Sequence, residues 1–201
     1  MGRAFLEGAN GLLLLGCKPE TCHHSYGLDH TWARSLMLKK LLELSGLERE
    51  RISLAHGDLN DPLQLARTVD CFVSTIDRLG PIYRDQKTQA KIQALYDTLY
   101  NARVRWVLGA SLRRPWETTY PTDQRHAMEY DMTLTDVITE EFCRTRITNL
   151  LKQEAKVMQL EDVVEVLEVD KKRAVECLKD LSSEGIISRT FKDRVPYYSL
   201  L

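Results

Sequence analysis

No apolar run in this chain is long enough to cross a bilayer. The longest, Gly11-Leu12-Leu13-Leu14-Leu15-Gly16, falls far short of the roughly 20 residues that a spanning helix needs. The opening residues Met1-Gly2-Arg3-Ala4-Phe5 lack the apolar segment of a secretory signal, so a cytoplasmic protein is expected. Neither sign of charge dominates: 28 Lys and Arg stand against 29 Asp and Glu, a net charge of −1 over 201 residues. That balance argues against a generally basic nucleic-acid binder. Internal repeats and low-complexity tracts are absent, and 43% hydrophobic with 28% charged residues is the composition of a folded globular protein. Enzyme signatures are missing too: there is no Gly-x-Gly-x-x-Gly, P-loop, His-Glu-x-x-His or Gly-x-Ser-x-Gly. Ser25, Asp29 and His30 share a loop, but spacing does not make them a triad. Cysteine is sparse. Five residues (Cys17, Cys22, Cys71, Cys143, Cys177), an odd number with no export signal, do not make a disulfide framework.

What is present divides into three stretches. Residues 1–81 alternate strand and helix. The run 11–16, continuously apolar and bounded by glycine, predicts a strand buried on both faces of a parallel sheet. Phe5 falls in a helix leading into it. Thr31 to Leu44 predicts an amphipathic helix with Trp32, Leu36, Met37, Leu41 and Leu44 inward, Thr31 as N-cap and Gly46 as its stop. Arg51 to His56 predicts a second strand. Leu63 to Leu79 predicts a second helix with Leu65, Val69, Phe72, Val73 and Ile76 inward. A β-α-β-α unit of a parallel, flavodoxin-like or Rossmann-like sheet follows, and the fold class is α/β. Such a sheet normally has more than two strands, so the chain is expected to begin in the middle of a domain.

Residues 82–133 read as a helical segment, Gln86 to Asn101, then a short apolar stretch, Arg105 to Gly109. An extended linker, Arg113 to Asp131, is expected to follow, with Pro115 and Pro121 in it. From residue 134 helical periodicity returns over Ile138–Gln153, Gln159–Leu167 and Asp170–Ser182. Two apolar segments flanking Lys192-Asp193-Arg194 then predict a hairpin. Three helices and a hairpin spell a winged helix over residues 134–201. Lys171, Lys172 and Arg173 at the third helix, with Arg189, Lys192 and Arg194 on the hairpin, could meet phosphates. Yet this stretch holds 11 basic residues against 13 acidic ones, which favours docking on a protein subunit over binding nucleic acid.

The informative loop is Gly16-Cys17-Lys18-Pro19-Glu20-Thr21-Cys22-His23-His24-Ser25-Tyr26-Gly27, directly after the first strand. Open α/β sheets place ligands at that carboxyl end. Two cysteines in a loop bent by Pro19 can aim both sulfurs at one metal centre, and iron–sulfur clusters need such thiolates. Spacing alone leaves other readings open: unliganded thiols, or a zinc site of Cys17, Cys22 and His23 or His24. His23, His24 and His30 read as polar loop residues, and Cys71, Cys143 and Cys177 as buried structural thiols.

The apolar strand, the Gly16 to Gly27 loop, the helix Arg34 to Leu44, Gly46, the segment Glu48 to Leu54 and the close Leu79-Gly80-Pro81 together resemble the delta (iron–sulfur) subunit of methyl-viologen-reducing hydrogenase. The resemblance covers about residues 1–81. It implies a [2Fe–2S] electron carrier between a hydrogenase or formate dehydrogenase and a heterodisulfide-reductase-type flavoprotein. Cys17 and Cys22 match two family cysteines, and members carry earlier cysteines in a half-domain ahead of this strand. Two thiolates do not complete a four-thiolate cluster, so the remaining ligands are expected from outside this chain. The expected function is therefore a non-catalytic electron-transfer subunit of an oxidoreductase complex, with the winged helix as its docking module. The rival reading is a redox- or metal-responsive winged-helix transcription regulator using the same thiols.

Overall fold

Strand β1 (Leu12–Gly16) lies parallel to β2 (Ile52–His56), with Leu12 opposite Ile52 and Gly16 opposite His56. The computed structural model describes residues 1–17, 27–56, 61–111, 124–154 and 157–201. Ahead of β1 is the short helix α1 (Gly2–Leu6), and between the strands runs α2 (Gly27–Leu44). A parallel pair needs such a crossover. Ala33, Met37, Leu38, Leu41 and Leu42 of α2 are buried with Phe5 and Ile52. The buried stripe is therefore rotated from the expected face: Trp32, Leu36 and Leu44 are only half-buried. This helix is apolar on too much of its circumference for periodicity alone to choose a side. Its end is as expected, with Gly46 at φ +78° and the Leu47 amide donating back to the Leu42 carbonyl at 2.9 Å.

Helix α3 (Pro62–Leu79) starts on Asp61, whose carboxylate accepts from the Gln64 amide at 3.0 Å. It packs closely on the start of β1. A methyl group added at Gly11 would sit 2.8 Å from Ile76 Cγ1 and 2.9 Å from Phe72 Cζ. Two expectations fail here. No residue of α3 is buried, and of its predicted inward positions Val69 and Val73 are 37% and 48% exposed. Nor is β1 buried on both faces, since Leu15 is 47% exposed. The reason is shared: among the described residues the sheet has two strands, too narrow to cover the apolar side that α3 and β1 present.

The chain beyond residue 81 belongs to this same body. Helix α4 (Gln86–Leu99) packs on α1, with Leu95 and Tyr96 against Gly2. Arg84 donates from Nη1 to the Phe5 carbonyl at 2.8 Å and from Nη2 to the Ala9 carbonyl at 3.0 Å. The Ile82 amide donates to Asn10 Oδ1 at 3.1 Å. The apolar stretch 105–109 lies in a helix, α5 (Ala102–Ser111). Residues 124–131, expected to be extended, begin the long helix α6 (Gln124–Glu154) instead. The chain divides into compact units at Met1–Ile138 and Thr139–Leu201.

In the second unit the latter part of α6 is followed by β3 (Met158–Gln159), α7 (Leu160–Leu167), α8 (Lys171–Ser183), β4 (Ile187–Lys192) and β5 (Val195–Leu200). Ile147, Leu151, Val163, Leu178, Leu181 and Ile187 share its core. Caps set the boundaries. Asp162 accepts from the Gln159 amide at 3.0 Å ahead of α7, and Asp170 from the Arg173 amide at 2.9 Å ahead of α8. Asp193 and Arg194 both have positive φ, which matches the twist of a two-residue hairpin turn. Strand β5 also pairs with β3, Met158 opposite Tyr198, an association that the sequence pattern did not signal. Among the described residues, no helix is long and apolar enough to cross a membrane.

Arg51 ties the first unit together. Its side chain is 2% exposed, donates to Glu48 at 2.6 Å, and bonds the carbonyls of Asn10 and Gly80 at 3.0 Å each. Partial burial would raise the Glu48 carboxyl. Its own backbone N–H and the Arg51 guanidinium outweigh that and hold it below the ordinary carboxylate value. Arg51→Ala strands two carbonyls, so the first unit loses about 3 kcal/mol. Tryptophan fluorescence in urea reads this, since all three tryptophans fall within residues 1–138. A depressed folded pKa gives stability that is complete above the unfolded value and is lost as pH falls through the folded one. The Glu48 contribution to the acid limb of the stability–pH curve is expected to shrink in the variant, leaving the part due to its own backbone N–H.

Candidate functional site

The apolar β1 delivers Gly16-Cys17 to the carboxyl edge of the parallel pair, where Gly16 faces His56 of β2. Cys17 is a free, exposed thiol there. His56 Nδ1 lies 3.2 Å from the Cys17 carbonyl oxygen. A carbonyl only accepts, so Nδ1–H is the donor in this contact. This contact joins the two strand ends and fixes the backbone of the first cysteine. Sequence reasoning placed His56 in a strand and gave it no task. Its signal was available only once the register put residue 56 opposite residue 16.

Cys22, His23 and His24 lie outside the described residues, and with them the expected pairing of Cys17 with Cys22. Among the described residues, no group of three or more His, Cys, Asp or Glu side chains could hold a metal ion. Cys71 corrects an expectation: it is exposed, not buried. It is the neighbour of Phe72, which turns toward Gly11, and it borders an open groove between α3, Lys39 of α2 and Ser53 of β2. Cys143 and Cys177 are buried, as expected.

The cationic side chains of the second unit are partly committed. Lys171 Nζ pairs with Glu161 at 3.0 Å, and Arg144 is held between Glu141, at 3.5 Å, and Glu184. Arg189 stacks on exposed Phe191 of the hairpin, 4.7 Å from the ring centre.

Residues 1–80 match the family Methyl-viologen-reducing hydrogenase, delta subunit. The iron-sulfur subunit of the F420-non-reducing hydrogenase of Archaeoglobus profundus is 35% identical over 78 residues, 39% of this chain and 57% of that protein. The iron-sulfur subunit of the F420-non-reducing hydrogenase vhc of Methanococcus voltae is 41% identical over 51 residues, 25% of this chain and 35% of its own length. One subunit of the Ferredoxin/F(420)H(2)-dependent CoB-CoM heterodisulfide reductase of Methanosarcina acetivorans is 29% identical over 94 residues, 44% of this chain and 11% of that protein. The chain thus spans little more than half of the Archaeoglobus relative and a small part of the reductase relative. No solved structure matches the chain significantly. The delta-subunit match contains β1, Cys17, α2, β2 and α3, so it coincides with the segment whose loop motif carried the resemblance.

Thiol accessibility checks this geometry directly. In the native chain iodoacetamide is expected to label Cys17 and Cys71 within minutes. Cys143 and Cys177 should label only after denaturant is added, as read by peptide mass mapping.

Proposed function

We propose that this chain is an electron-transfer subunit in which Cys17 and Cys22 provide two thiolates to a [2Fe–2S] cluster. The observation that carries the reading is the exposed Cys17 thiol at the carboxyl end of β1, inside the segment that matches the delta-subunit family. The donor chemistry fits: thiolate is the ordinary ligand of such clusters, and Cys17 is exposed, where a second source of ligands can meet it. Two thiolates make half of a four-thiolate set, so the other ligands come from outside the chain. When bound, the cluster supplies one-electron storage.

The chain's own part is positional. Parallel pairing of β1 with β2 presents the cysteine backbone, and the His56 ring holds the Cys17 carbonyl, so the sulfur leaves a fixed point. Backbone N–H groups that donate to a ligating sulfur lower the cost of negative charge on it. Electrons would pass between a hydrogenase or formate dehydrogenase and a heterodisulfide-reductase-type flavoprotein in the cytoplasm. Relatives named as subunits of hydrogenase and heterodisulfide reductase support this placement. The sheet of the first unit reads as part of a flavodoxin-like or Rossmann-like domain. The second unit, with its three helices and hairpin, reads as a winged helix that docks on another protein of the complex. Its acidic balance, and the pairing of Lys171 with Glu161, weigh against nucleic acid.

Anaerobic co-expression with candidate hydrogenase and reductase subunits tests the proposal. Cys17→Ser and Cys22→Ser are each expected to lower iron in the purified assembly by at least half and to abolish the electron paramagnetic resonance signal of the reduced cluster. Iron content and signal equal to wild type in the double variant would overturn it.

A further inference from the structure

The second unit holds two thiols that the electron-carrier reading does not use. Cys143 is on α6 and Cys177 on α8, and both belong to one hydrophobic core, 4% and 1% exposed. Neither is in a disulfide. The two side chains are hydrogen-bonded to each other, so the sulfurs of two helices far apart in sequence are in direct contact. Their charged neighbours are unlike. Cys143 faces the guanidinium groups of Arg146 and Arg173, whereas Cys177 faces Glu140 as well as Arg144. The Arg146 guanidinium is itself held, donating to the Leu167 carbonyl and lying over the Phe142 ring.

We propose that Cys143 and Cys177 form a redox-responsive pair, which a small peroxide converts to an intrachain disulfide that clips α6 to α8. The inference is independent of the cluster reading, since it uses other residues in the other compact unit. The hydrogen bond from Cys177, ahead of the burial that opposes it, and the two guanidinium groups favour the Cys143 thiolate. The same hydrogen bond, together with burial, keeps the proton on Cys177. Cys143 is therefore the attacking sulfur. Its thiolate takes one oxygen of hydrogen peroxide: the S–O bond forms, the O–O bond breaks, and the departing hydroxide takes up the proton that Cys143 released, to leave as water. Cys177 sulfur then attacks the Cys143 sulfenic sulfur. The S–S bond forms, the S–O bond breaks, and the proton of Cys177 leaves with the oxygen in a second water. Two thiols lose two electrons in all, and one peroxide gains them. The near-complete burial of both sulfurs selects the oxidant, because a bulky disulfide cannot reach them while a molecule close to water in size can enter during local opening.

The test uses the full chain, reduced and free of metal. It is treated with hydrogen peroxide, unfolded in iodoacetamide and mapped by mass spectrometry. The expected product is a peptide pair joining Cys143 to Cys177 with the loss of two hydrogen atoms, reversed by dithiothreitol, and the oxidised protein melts at higher temperature than the reduced one. In Cys177→Ser the first step has no second thiol to complete it, so dimedone should trap Cys143 as a sulfenic acid. Recovery of both residues as alkylated thiols after peroxide treatment of the wild type would overturn the proposal. So would their joining to Cys17, Cys22 or Cys71 in place of each other. The wild-type map decides the matter even if the serine variant does not fold.

Discussion

The parallel pairing of β1 with β2 is the constraint on which the first unit rests, and Arg51 is what makes that pairing tolerable. Two short strands cannot bury their own backbone, and the segments that flank them bring carbonyl groups inward. A buried guanidinium meets this need because its planar fork donates in several directions at once, here to Asn10 ahead of β1, to Gly80 after α3, and to the Glu48 carboxylate. Arg84 repeats the device one layer away, joining α1 to the start of the α4 segment. Arginine thus does in this small sheet what further strands do in a wider one. The position of Cys17 follows from it: register sets Gly16 opposite His56, and the next residue is the thiol.

On the proposed function that arrangement is economical: Cys17 is exposed at the end of an apolar strand, where a second protein can reach it. The half-covered faces of β1 and α3 lie in the same unit. They give the delta-subunit segment apolar area beyond what its own two strands cover. The second unit is built differently. Its core is closed, α7 and α8 are capped, and part of its charge is paired internally, as in the grouping of Glu141, Arg144 and Glu184.

Local signals were legible in the sequence and non-local ones were not. Gly46, Gly80 and Asp170 mark helix ends through chemistry confined to a few residues, and each does so in the structure. The apolar run before Cys17 gave the strand, and the loop after it gave the family resemblance. Burial was less readable. Val69 and Val73 have the right spacing for a core face, yet whether a face is covered depends on a layer elsewhere in the chain. Cys71 was misjudged for the same reason. The packing of α4 on α1, the pairing of β3 with β5, the role of His56 and the contact between Cys143 and Cys177 all join residues distant in sequence. Periodicity carries no information about such meetings.

In the proposed function this chain contributes two thiolates to an iron centre completed from outside it. The most direct measurement is alkylation of the anaerobically purified, iron-loaded assembly, followed by mass mapping of every cysteine. Cys17 and Cys22 are expected to be protected while iron is bound and to become reactive when it is chelated, with Cys71 reactive throughout. Full labelling of Cys17 and Cys22 with the iron still in place would contradict it.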